Sequence, residues 1–202
     1  MTVDDETNRP QADSRTLNGL YGADFTGNDR LKVAPFTVDS SGNVMILIVA
    51  KIDIVDNSSD GLISMNGTND WQLDAANGSA FNGELDVANL GSSKSLTGGP
   101  FTGPSVFCCV FDRANTVMTV YENGYDISTG GTAYTTSIDT SVELGVFRNR
   151  GASYNPDGFA GEVVVSSSVD TETRQLYEGY LAHKWGLSGN LDTSHPFKND
   201  AP

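Results

Sequence analysis

Cations are scarce in this chain: 12 Lys and Arg stand against 26 Asp and Glu, a formal net charge of −14. Phosphate binding needs a basic footprint, so nucleic acid is not an expected partner. The acidic excess reads as solubility through mutual repulsion; divalent-cation binding and docking on a basic surface are the sharper alternatives. Cysteine is nearly absent, with only Cys108 and Cys109. Adjacent strand residues point to opposite faces, which makes a bond between them geometrically poor. One thiol should face the core and the other should face outward or a second layer. Without a disulfide framework the chain suits folding in a reducing cytoplasm. Long apolar runs are missing too. The longest, VMILIVA at 44–50, is far too short to span a bilayer, so membrane insertion is not expected. The first 20 residues show no basic segment followed by an apolar one, so the expectation is a cytoplasmic product made without a signal peptide.

What is present points to strands. Glycine is plentiful, at 22 residues, and Ser, Thr, Asn and Asp are frequent. Residues 1–17 are polar and carry Pro10, and read as a flexible N-terminal arm. Residues 18–202 then read as one domain. VMILIVAKIDIV (44–55) is β-branched and bounded by turn residues, which predicts a long central strand. GLISMN (61–66), WQLDAA (71–76) and FNGELDV (81–87) follow as further strands. Residues 89–104 form a Gly-, Ser- and Pro-rich stretch without a clear element, long enough to suggest a role. SVFCCVFD (105–112) and TVMTVYEN (116–123) form a hairpin, and the second strand runs into the turn signal Asn123–Gly124. VELGVFR (142–148) and GFAGEVVVSSS (158–168) complete a pattern of short strands with frequent turns, the signature of a sandwich.

One helix breaks this pattern near the C-terminus, at 171–185. Asp170 stands at the N-cap and Glu172 in the first turn, where the helix dipole favours a carboxylate. Leu176, Tyr177, Tyr180, Leu181 and Trp185 fall on one predicted apolar stripe, and Gly186 supplies the stop. Gly179 inside the helix predicts a close backbone approach to the sandwich. The helix is expected as a lid over an edge or end of the sheets.

Residues 158–202 resemble the C-terminal signature of concanavalin A-like (laminin-G-like) jelly-roll domains of the type found in phage virion structural proteins and marine bacteria. Phe159, Gly161, Val163 and Val165 match the strand of that signature. Glu178, Gly179, Tyr180, Leu181, Ala182, Lys184, Trp185, Gly186 and Leu187 match its helix, and Leu191, His195, Pro196 and Phe197 its tail. The resemblance implies an all-β fold: a two-sheet antiparallel jelly-roll sandwich with one C-terminal helix packed at the edge. It does not imply an activity, because such folds host unrelated functions.

Catalytic readings are poorly supported. ELDVAN (84–89) resembles the E-x-D-x-x-E strand of β-glucanases with this fold, and alternation puts Glu84 and Asp86 on one face. Asn89 stands where the third carboxylate belongs, and an amide cannot shuttle a proton. The two histidines, His183 and His195, lie inside the structural signature, and mid-strand thiols in an apolar run are inert. No enzyme activity is expected. For a metal, Asp53, Asp56, Asn57 and Asp60 gather hard oxygens in one loop that suits Ca2+, with an Asx-rich turn as the plain alternative; no other cofactor is expected. For sugars, the candidate aromatics are Trp71, Tyr125, Tyr134 and Tyr154.

Together these features lead to the expectation of a non-enzymatic virion structural protein of a tailed phage, either a capsid decoration (cement) protein or a head fibre. It would sit on the virion surface, dock on the major capsid protein or another virion protein, and form a homo-oligomer, with a trimer favoured. The alternative is a carbohydrate-binding adhesin or lectin module that recognises a cell-surface glycan.

Overall fold

The apolar run at 44–54 becomes the strand on which the protein is organised. The structure, a computed structural model, describes residues 2–3, 9–37, 43–54, 60–66, 71–76, 84–88, 94–95, 103–128, 132–133, 141–148 and 155–202. The strands are β1 (Thr2–Val3), β2 (Gln11–Leu17), β3 (Leu20–Phe25), β4 (Leu31–Thr37), β5 (Val44–Ile54), β6 (Asp60–Asn66), β7 (Trp71–Ala76), β8 (Glu84–Ala88), β9 (Lys94–Ser95), β10 (Ser105–Asp112), β11 (Val117–Glu122), β12 (Tyr125–Asp126), β13 (Thr132–Ala133), β14 (Ser141–Val146) and β15 (Asp157–Ser166). The single helix, α1, spans Thr171–Lys184, and a short 3-10 turn follows at Ser188–Asn190.

The strands build two antiparallel sheets. Sheet A has the order β1-β4-β14-β6-β7-β8-β9; sheet B has the order β12-β11-β10-β5-β15-β3-β2, with β13 also paired to β11. This is the expected two-sheet jelly-roll sandwich. Strand β5 lies at the centre of sheet B, between β10 and β15. Both of its faces are buried, which explains a continuous apolar run in place of alternation. Val44, Ile46, Ile48, Ala50 and Ile52 point into the sandwich, where they meet Leu62, Ile63, Met65, Leu73, Leu144 and Val146 of sheet A. Met45, Leu47 and Val49 point the other way, to a second core under α1. The adjacent thiols divide in the same manner. Cys109 belongs to the sandwich core and Cys108 to the layer under the helix. Both are buried and unbridged. Burial pushes the Cys109 thiol up to about 12, which makes it inert at neutral pH.

Three expectations need correction. Residues 11–17 are not a free arm: they form edge strand β2, paired with β3. An edge strand tolerates polar side chains, so composition alone disguises it. The helix does not sit at an edge; it packs across the outer face of sheet B, over β10 and β5. Its buried face is also rotated from the predicted stripe. Arg174, Glu178, Gly179, Leu181, Ala182 and Trp185 are buried, while Leu176 and Tyr180 remain 45% and 41% exposed. The caps are as expected. Asp170 accepts the Thr173 N–H at 2.8 Å. Gly186, at φ 72°, closes the helix as its N–H reaches the His183 carbonyl while the Leu187 N–H reaches Ala182.

Candidate functional site

A sandwich has two outer faces, and here they differ in kind. That of sheet B is sealed by the C-terminal segment. In β15 the register against β5 slips between Ala160 and Val163. This bulge turns Gly161 and Glu162 toward the helix together. The Trp185 ring lies so close to Gly161 that a Cβ there would approach it to 2.9 Å. Glu162 accepts the Trp185 indole N–H at 3.2 Å and pairs with Lys184 at 2.8 Å. Phe159 meets Trp185 edge-on, with centroids 5.9 Å apart.

A buried ionic cluster lies further along the same interface. Arg174 donates to Glu178 at 2.6 Å, and the Arg174 guanidinium stacks over Tyr121 of β11 at 3.8 Å. The His195 Nε2 lies 3.2 Å from the same Glu178 oxygen. The His195 Nδ1 lies 3.2 Å from the Phe197 N–H. Burial first, and then Glu178, push the Cys108 thiol well above its ordinary range. The nearest neighbour of Gly179 is the tail, where the sequence suggested the sandwich. A Cβ there would come to 2.6 Å from Phe197 of the tail, which folds back onto the helix. The signature residues of helix and tail are therefore mutual contacts that close one face.

The outer face of sheet A is not covered by α1. On β14, Leu144 and Val146 enter the core, so Glu143 and Gly145 face outward. Phe147 then adopts a left-handed φ of 49°, held by stacking on Phe25 at 4.4 Å and by an N–H bond to the Leu62 carbonyl at 2.9 Å. This turn carries Arg148 back over Gly145, where a side chain at 145 would collide with Arg148 and Ser64. Arg148 donates to Glu143 at 2.7 Å, and Lys32 of β4 reaches Glu143 at 3.6 Å. Arg148, Glu143 and Lys32 are only 11%, 21% and 32% exposed. These charged side chains share the outer face of sheet A with Gly145. Ser64 and Gln72, opposite each other on β6 and β7, continue the polar row and are buried. The Ser64 hydroxyl has no hydrogen-bond partner among the described residues.

A concavity of about 630 Å3 opens at the sandwich edge. It is lined by Arg9, Pro10, Gln11, Ala12, Ala23 and Leu31. Tyr21, two residues before Ala23 on the same face of β3, is 62% exposed beside it.

The residues expected at a site are scattered. Tyr125 is an exposed ring on β12, at the far edge of sheet B. Trp71 begins β7 in register with Met65. Tyr134 and Tyr154 lie outside the described residues, as do Asp56 and Asn57. Asp60 is buried at the start of β6. Asp53 is engaged by Arg15, and by Lys51 at 2.6 Å. Burial raises its carboxyl, but hydrogen bonds from Lys51 and Arg15 outweigh this and hold it below the usual range. Among the described residues, no group of three or more His, Cys, Asp or Glu is placed to hold a metal ion. Glu84 and Asp86 lie on β8, with Asp86 in register with Asp74 of β7. The row of Lys32, Glu143 and Arg148 went unrecognised in the sequence. Its one signal was the alternation Glu143-Leu144-Gly145-Val146, a polar and glycine face opposite an apolar one.

No family model and no curated protein matches the chain. Solved structures do. The Trypanosoma rangeli sialidase in complex with the inhibitor DANA superposes with a TM-score of 0.57 at 11% identity, covering 76% of this chain and 26% of that one. A putative carbohydrate binding protein from Bacteroides ovatus gives 0.56 at 13% identity, covering 74% and 44%. The CBM40 of Ruminococcus gnavus IT-sialidase gives 0.50 at 13% identity, covering 71% of this chain and 95% of that one. The chain has the lectin-like β-sandwich fold of these domains. It spans only about a quarter of the sialidase (26%) but nearly the whole of the CBM40 (95%).

Proposed function

We propose that the chain is a non-catalytic carbohydrate-binding module, and that the outer face of sheet A receives the glycan. The observation that carries this reading is the partly buried row of Arg148, Glu143 and Lys32 on the sheet face that the helix leaves open. Sugars are recognised by a few convergent donors and acceptors in a concave surface. An arginine fork, a carboxylate and an ammonium group form such a set. Arg148 would grip an acidic group on the sugar in a bidentate manner, while Glu143 would accept from hydroxyls. Support also comes from the named neighbours, a CBM40 and a putative carbohydrate binding protein. None of the structures named above is a virion component, so the carbohydrate-binding alternative takes precedence over the decoration-protein reading.

Calorimetric titration against panels of neutral and acidic oligosaccharides tests this. We expect micromolar-to-millimolar binding, lost in Arg148→Ala and weakened in the more exposed Lys32→Ala, with circular dichroism showing both variants folded. Binding that survives Arg148→Ala but is lost in Tyr21→Ala would move the site to the edge concavity. Absence of binding across both panels would remove the reading altogether.

A further inference from the structure

The sequence holds five Asn–Gly pairs, and two of them lie wholly within the described residues: Asn18–Gly19 and Asn123–Gly124. Asn–Gly is the pair most open to imide formation, because glycine puts no side chain in the path of its own nitrogen. Both pairs occupy hairpin turns with positive φ at both residues. The values are 52° and 75° at Asn18–Gly19, and 51° and 82° at Asn123–Gly124. Sequence and turn geometry are thus matched, and only the surroundings differ.

Asn123 is clamped. Its Oδ1 accepts the Val106 N–H at 2.9 Å, and its Nδ2 donates to the Ser105 hydroxyl at 3.1 Å. Its backbone N–H reaches the Val106 carbonyl and its carbonyl accepts the Asp192 N–H, each at 2.8 Å. The His195 ring presses on Gly124, within 2.6 Å of where a Cβ would lie. Asn18 is held by a single side-chain bond, from Nδ2 to the Lys184 carbonyl at 2.9 Å. Asn18 and Gly19 are both exposed, and a Cβ on Gly19 would meet nothing within 4 Å.

We propose that Asn18 is a modification site: it deamidates spontaneously in the folded protein while Asn123 is protected, and the change uncouples the β2–β3 turn from the end of α1. In the reaction the Gly19 backbone nitrogen attacks Asn18 Cγ and forms the imide C–N bond. The Cγ–Nδ2 bond breaks, and ammonia leaves with the proton that the Gly19 nitrogen gives up. Water then opens the ring at either carbonyl, leaving aspartate or isoaspartate; nothing is oxidised or reduced. The product removes the donor that held the Lys184 carbonyl. It also places a carboxylate against the last carbonyls of α1, at the negative end of the helix dipole. The isoaspartate form lengthens the backbone of a two-residue turn whose geometry fixes the strand register.

The test is to incubate the intact chain at mildly alkaline pH and follow both sites by peptide mass spectrometry, in buffer and in urea. In buffer, Asn18 should convert at least about tenfold faster than Asn123, because Asn123 reacts only after its clamps open. In urea the two rates should converge, since the pairs are then equivalent. Equal rates in buffer, or a faster Asn123, would overturn the site assignment. Asn18→Asp tests the consequence without risk to the turn, since Asp-Gly suits the same geometry. Its amide exchange at residues 184–187 should accelerate relative to the parent. Unchanged exchange would overturn the uncoupling.

Discussion

The two outer faces of this sandwich solve different problems. Sheet B hides its outer face under a helix and tail whose residues contact one another: Trp185 with Phe159, Gly161 and Glu162; Glu178 with Arg174 and His195; Gly179 with Phe197. Sheet A gathers Arg148, Glu143 and Lys32 on a face outside the helix's reach. The most recognisable sequence in the chain therefore maps to the closed face, where it does packing. The face proposed to bind carries no signature. A fold-level signature and a binding site need not share residues, because the constraints that preserve them are different.

This contrast can be broken at graded cost. Trp185→Ala removes the ring that plugs β15 and should destabilise the protein by about 4 kcal/mol, read as a fall in the urea midpoint at constant slope. A change within about 0.5 kcal/mol would show that the seal contributes little. Glu178→Gln should cost about 3 kcal/mol, because it leaves Arg174 buried without its carboxylate. If chemical denaturation finds the variant as stable as the parent, the cluster is not a structural ion pair. Gly179→Ala puts two rules in opposition. Helix propensity favours Ala by about 1 kcal/mol, whereas overpacking against Phe197 costs about 1–3 kcal/mol. We expect net destabilisation, and a rise in melting temperature would show that the tail yields instead.

The smallest effect concerns pH. Hydrogen bonds from the Ser168 hydroxyl and from the Thr173 N–H and hydroxyl hold the Asp170 carboxyl at about 2, below its ordinary 3.8. A carboxyl depressed by folding stabilises above its ordinary value and loses that contribution as pH falls through the folded one. The stability gap between the parent and Asp170→Ala should therefore be constant near neutrality and narrow as pH drops from 3.8 toward about 2. Thermal melts across this range would show a parallel offset if the cap carried no linked proton.

Much of the fold was legible because its causes are local. The run at 44–54, the turn signal at Asn123–Gly124, the Asp170 cap and the Gly186 stop are each written in a few adjacent residues. Strand β2 was not legible, since an edge strand need not alternate. The buried face of α1 misled because it includes Arg174 and Glu178, which enter a core only when they are paired there. Gly179 was read correctly as a close approach, but its neighbour proved to be Phe197, which only the folded tail brings near.

The candidate site shows the same limit more sharply. Lys32 on β4 is far in sequence from Glu143 on β14 and Arg148 just beyond it, and Arg148 reaches its place only through the left-handed turn at Phe147. The sequence by itself determined an antiparallel sandwich with one capped helix, because hydrophobic period, turn chemistry and capping act over a few residues. Only the tertiary structure decided which face the helix closes and which charges share the other, because pairing and burial depend on neighbours that the chain supplies from a distance.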